Sequence, residues 1–146
     1  MKTNQSGFTL IELLIALALI SLLLSITYSV SLKTYDTIQY QKFIKEFDQD
    51  LLYLQQLAMT KKENYYLQFE REKNRYLIRK GGLGSKILVR NYPSNWIIEP
   101  DTLTMPIKFS PKGNFSDPGT MKVKTKTSLY FITCPFGKGR CYDEKS

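Results

Sequence analysis

The stretch GFTLIELLIALALISLLLSITYSVSL, residues 7–32, decides the fold. A short polar leader with one charge, Lys2, ends at Gly7, and a hydrophobic run begins abruptly at Phe8. Its single charge is Glu12, and from Leu13 to Leu32 there is none. Helices rise about 1.5 Å per residue, so such a run covers roughly the 30 Å hydrocarbon core of a bilayer. In lipid the backbone must satisfy its own hydrogen bonds, which makes helix the reading for a single span. An ionised carboxylate at bilayer depth costs about 2.5–3.5 kcal/mol even on lenient scales, so Glu12 asks for a reason.

A secretory signal has a shorter apolar core, about 7–15 residues, followed by a small-residue cleavage site. Here the run is longer, although Ser29 and Ser31 mimic such a site. A plain membrane anchor explains everything except Gly7 and Glu12. The string Gly7-Phe8-Thr9-Leu10-Ile11-Glu12 resembles the class III signal of type IV pilins and pseudopilins. The resemblance implies cleavage by a prepilin peptidase between Gly7 and Phe8, then N-methylation of Phe8. It also implies that Glu12 pairs with the amino terminus of a neighbouring subunit during assembly, offsetting a burial penalty that one subunit alone does not offset. The other reading of Glu12 is a carboxylate tolerated near the headgroups.

Beyond the run, Tyr35, Ile38, Phe43, Ile44, Phe47, Leu51, Leu54 and Ala58 recur at three- and four-residue steps, an amphipathic helix face. Lys33, Asp36, Lys42, Lys45, Glu46, Asp48 and Asp50 lie between them and are expected to face water. No Pro or Gly occurs between Phe8 and Met59, so the spacing predicts one helix of about fifty residues, roughly 75–80 Å long. Many major pilins carry a proline in the membrane half, and this chain departs from them there.

All six prolines lie beyond residue 90 and every glycine but Gly7 beyond residue 80, so helix gives way to strands and turns. Alternation predicts strands at 65–70 and 75–79 with a turn at Lys73-Asn74, then at 86–90, 96–99 and 107–110. A final hairpin is expected from 120–127 and 129–134. The fold class is therefore α+β: a long N-terminal helix, half membrane-spanning and half amphipathic, packed on a small antiparallel sheet in a pilin-like head. The expected boundaries are a leader at 1–7, a transmembrane half at 8–32, an amphipathic half at 33–60 and a β-rich head at 61–146.

Phe109-Ser110-Pro111-Lys112-Gly113-Asn114, followed by Pro118-Gly119-Thr120, is similar to a pattern in minor pseudopilins, where a strand ends in F-x-x-x-G and G-T opens the last hairpin. The resemblance implies a minor subunit of a competence pseudopilus of Gram-positive type, supporting DNA uptake. The same features suit a minor pseudopilin of a secretion system. A membrane-anchored binding domain that never assembles is the rival from another class. The implied partners are major and other minor pseudopilins, the prepilin peptidase, the plasma membrane and, indirectly, an assembly ATPase and a polytopic membrane platform. The head would lie outside the cell, first on a single-pass anchor and then on a surface filament.

An external head permits a bridge between Cys134 and Cys141, which the intervening Gly-Lys-Gly turn could bring together; two free thiols are the alternative. Lys122, Lys124 and Lys126 alternate, and with Lys138 and Arg140 they form a candidate stripe for non-specific contact with the DNA backbone. The other reading is a solvated or edge-protecting strand face. Lys and Arg exceed Asp and Glu by 21 to 13, compatible with either. Histidine is absent, which removes histidine-based triads and metal sites, and Gly81–Gly84 lacks the ending of a phosphate loop. Neither catalysis nor a cofactor or metal is expected.

Overall fold

The computed structural model describes residues 9–61, 63–81, 84–137 and 140–146, without the side chains of 26–31. Helix α1 spans Leu10–Thr60. Seven strands follow: β1 (Tyr65–Glu70), β2 (Arg75–Lys80), β3 (Lys86–Asn91), β4 (Ile97–Pro100), β5 (Gly119–Lys124), β6 (Leu129–Cys134) and β7 (Tyr142–Lys145). The chain forms two compact units, 1–35 and 36–146.

In the first unit, Leu10, Ile11, Leu13, Leu14, Ile15, Leu17, Leu19, Ile20, Leu22, Leu23 and Leu24 are all exposed, on every side of the helix. A helix apolar all round belongs in lipid or inside a larger protein body. Among the described residues, no helix is long and apolar enough to cross a membrane. The span expected at 8–32 includes Phe8 and the side chains of 26–31, which lie outside the described residues.

The second unit is built on one face of α1. Tyr40, Phe43, Phe47, Leu51, Leu54 and Ala58 are buried on it and meet Tyr65, Leu67, Tyr76, Ile78, Trp96, Ile98, Met121, Val123 and Ile132. Tyr40 stacks on Tyr130 with ring centroids 3.5 Å apart. Phe43 and Phe47 each meet Tyr76 edge-on. Such pairs add about 0.5–1.5 kcal/mol beyond area burial.

The phase of this face corrects two expectations. Tyr35 and Ile38 are 63% and 60% exposed, whereas Asp36 and Asp50, expected in water, are 5% and 4% exposed. The buried positions run 36, 40, 43, 47, 50, 51, 54, 58, a helical stripe anchored by Tyr40. Both aspartates sit on it because the head supplies donors for them. The Tyr76 hydroxyl donates to Asp50 Oδ2 at 2.8 Å, and Arg90 Nε donates to the same oxygen at 3.1 Å.

The expected single sheet is two antiparallel sheets, ordered β1-β2-β3 and β4-β5-β6-β7. A three-residue 3-10 turn, Arg71–Lys73, joins β1 to β2, and Asn74 closes it in the left-handed region at φ 46°. The strand expected at 107–110 is only two isolated bridges, Leu67 with Ile107 and Phe109 with Phe115. The turn at Ser110–Gly113 bends that segment away, with Gly113 at φ +78°. β5 stops at Lys124, short of the expected 127, because Thr125–Ser128 form the tight turn into β6. Gly119 has backbone reasons to be glycine: a Cβ there would lie 2.5 Å from the Leu103 main chain. β7 has no counterpart among the expected strands. It pairs with β6 from Tyr130↔Lys145 to Thr133↔Tyr142.

Cys134 and Cys141 are joined by a disulfide, which closes the connection between β6 and β7. Intact mass of the native protein is expected to rise by two hydrogens on reduction; an unchanged mass would mean two free thiols. Tyr76→Phe is expected to cost about 1.5–3 kcal/mol, because it strips a hydroxyl donor from a buried carboxylate. Thermal unfolding of the detergent-solubilised chain measures it, and an unaltered midpoint would remove this bond from the set that secures the head.

Candidate functional site

Three places carry polar chemistry: the start of α1, the carboxylates buried on its later face, and the cations of the head. Thr9 precedes the first helical residue, and the Glu12 N–H donates to Thr9 Oγ1 at 3.4 Å. The Thr9 hydroxyl in turn reaches Glu12 Oε2 at 3.5 Å. Thr9-Leu10-Ile11-Glu12 is thus the capping-box pattern, a threonine followed three residues later by glutamate before an apolar run. This local helix signal lies within the same hexapeptide, Gly7 to Glu12, that carries the family resemblance. Glu12 therefore sits in the first turn, where free backbone N–H groups favour a negative charge. The contact from the Thr9 hydroxyl to the carboxylate is long, so the carboxylate is only loosely held. Gly7 and Phe8 lie outside the described residues.

Asp36, like Asp50, accepts three hydrogen bonds from the head. Its Oδ2 accepts from Thr125 Oγ1 at 2.6 Å, from Thr127 Oγ1 at 2.6 Å and from the Thr127 N–H at 3.0 Å. The turn between β5 and β6 is thereby tied to α1, and the Ser128 N–H donates back to Thr125 Oγ1 at 3.1 Å. Burial pushes the Asp36 carboxyl up, but the bonds from Thr125, Thr127 and the turn backbone outweigh it and hold it below the ordinary aspartate range. Elsewhere on the helix, burial and the facing carboxylate of Asp143 push Asp48 up, partly offset by Arg140.

The cation stripe does not form as one row. Lys122 lies on β5, but its Nζ binds Asp101 Oδ1 at 2.8 Å and lies 5.9 Å over the Phe131 ring. Lys124 ends β5, and Lys126 falls beyond it in the turn, both exposed. Arg140 is exposed beside the disulfide and borders a hollow with Asp48 and Leu52. Lys138 lies outside the described residues. Among the described residues, no group of His, Cys, Asp and Glu side chains could hold a metal ion.

Residues 2–28 match the family profile of the prokaryotic N-terminal methylation motif. The chain is also similar to "Competence protein ComGD" of Bacillus subtilis (strain 168), with 28% identity over 142 residues, covering 97% of this chain and 95% of that protein. No solved structure matches it. The chain is thus type IV pilin-like and ComGD-like, and its helix packed on antiparallel sheets is pilin-like in architecture.

A lowered aspartate pKa gives stability that is present above the unfolded value, about 3.9, and lost as pH falls through the folded value. The thermal midpoint of the full chain is therefore expected to fall on acidification below about pH 4–5. Asp36→Asn should be less stable at neutral pH, by about 1–3 kcal/mol, and should flatten that acid limb. An acid limb as steep in the Asn variant as in the parent would show that other carboxylates set it.

Proposed function

We propose that this chain is a minor pseudopilin subunit of a competence pseudopilus that supports DNA uptake. The observation that carries the reading is the co-extension of the likeness: the methylation motif covers the amino-terminal residues, and the similarity to a competence protein runs through nearly all of both chains. In this reading a prepilin peptidase cuts between Gly7 and Phe8, and Phe8 becomes the N-methylated first residue. The run 8–32 holds the subunit in the plasma membrane as a single span with the head outside. Cutting before the apolar run leaves that anchor on the mature subunit.

The chemistry of Glu12 suits assembly. Its carboxylate contact to the Thr9 hydroxyl is long, so exchanging it for a cationic amine of a neighbouring subunit costs little. In an apolar surrounding, that exchange removes two uncompensated charges at once. Subunits that each present different patches to their neighbours build an open helical filament rather than a closed ring. Major and other minor pseudopilins are the neighbours, with an assembly ATPase and a polytopic membrane protein driving extension.

The test is the amino-terminal peptide of the native protein, from cells with and without their prepilin peptidase. A start at methylated Phe8 that disappears without the peptidase is expected; a start at Met1 in both strains would overturn the reading. In the same cells, Glu12→Gln is expected to abolish incorporation into the filament and transformation while leaving cleavage intact. Normal transformation by that variant would remove the assembly role of the carboxylate.

A further inference from the structure

The two sheets of the head leave a cleft of about 540 Å³ between their end strands. Gln68 and Phe69 of β1 line one wall and Ile98 and Pro100 of β4 the other, with Met105 and Lys108 from the segment that links β4 to β5. A volume of this size is in the range of a ligand site.

The backbone directions decide what chemistry fits. Leu67 exchanges N–H and C=O bonds with Ile107, so its main-chain groups point away from β2. Direction alternates along an antiparallel strand, so Phe69 turns its N–H and C=O to the same open edge. On the facing wall, the Asp101 N–H donates to the Thr120 carbonyl in continuation of the β4–β5 register. Ile97 and Glu99 therefore bond β5, and Ile98 presents its N–H and C=O outward, Pro100 its C=O alone. Among the described residues none of these outward groups has a backbone partner.

The electrostatics are one-sided. Arg71 and Lys108 are exposed on the cleft, and among the described residues no carboxylate lines it; exposed Glu72, next to Arg71, borders the adjoining hollow instead. Glu70, next to Arg71, is already bound by Arg75 and Arg79. Glu99 lies on the other face of β4, opposite Lys122 in register. Three outward carbonyls need N–H donors, which a phosphodiester lacks and an extended peptide supplies at strand spacing.

We propose that this cleft accepts an extended, carboxylate-bearing segment of a partner protein, which pairs with the free edge of β4 and sets its acidic side chains against Arg71 and Lys108. Its apolar side chains rest on the half-buried Phe69 and Met105. The interaction does not depend on the assembly reading above, since any protein with such a segment would serve.

The test places the photo-crosslinker benzoylphenylalanine at Gln68 of the full-length protein in its own cells, with the same probe at Val89 on β3 for comparison. The Gln68 probe is expected to give the higher yield, with its adduct mapped by mass spectrometry to a segment of another protein that contains Asp or Glu. Reversing both charges, Arg71→Glu with Lys108→Glu, is expected to lower that yield about tenfold or more. Lys108→Gln alone should lower it less, in the same direction, and serves if the double variant loses its disulfide or its melting transition. Equal yields at both positions would overturn the proposal. So would an adduct on nucleic acid, lipid, a second copy of this chain or a segment without carboxylates, or a yield indifferent to the charge changes.

Discussion

Two carboxylates on the buried face of α1 fix how the head is assembled. A buried carboxylate is tolerated only where donors meet it, so each aspartate dictates what must lie opposite. Asp36 requires the Thr125 and Thr127 hydroxyls, and Asp50 requires the Tyr76 hydroxyl and Arg90. Apolar packing alone would let the helix slide by a turn at modest cost, since Phe43 and Phe47 present similar rings one turn apart. A slide would strand both carboxylates without donors. The four-stranded sheet is thereby registered at one point of the helix and the three-stranded sheet at another, fourteen residues further along.

The helix, the α+β class and most strands are legible in the sequence because each follows from a period. β1 runs over Tyr65–Glu70 and β6 over Leu129–Cys134, as alternation predicts. The phase of the helix face is less legible, because Tyr35 and Ile38 satisfy the same spacing as Tyr40 and Phe43. Hydropathy then assigns Asp36 and Asp50 to water, whereas their donors come from residues 26 to 91 positions away. The segment at 107–110 reads as a strand by composition, but a turn and a glycine at positive φ leave it only single bridges. β7 is short and charged, carries no hydrophobic alternation, and owes its place to the pairing of Cys134 with Cys141.

The start of the helix shows one residue serving two settings. The glutamate that the resemblance assigns to assembly is also the closing residue of a capping box, a local helix signal with its own reason to exist. A negative charge in the first turn suits an isolated helix, and a cationic amine brought to the same turn suits it further. The cations of the head divide in the same fashion. Lys122 is engaged with Asp101 and the Phe131 ring, whereas Lys124, Lys126 and Arg140 stay at the surface, so alternation along a strand does not by itself make a binding row.

The disulfide closes residues 134–141 into a ring, and the strand held beyond it protects a neighbour. β7 is entirely exposed, and without it β6 would become the outer edge of its sheet. β6 carries Tyr130-Phe131-Ile132-Thr133, an apolar, β-branched and aromatic segment of the kind that pairs indiscriminately when its edge is bare. β7 offers the outside Asp143, Glu144 and Lys145 instead. Because the bridge spans residues 135–140, a single chain break there would leave β7 covalently attached to β6. The bond thus acts less as reinforcement of the core than as a tether on a charged shield, keeping an apolar, aromatic strand of the head covered through damage to the loop beside it.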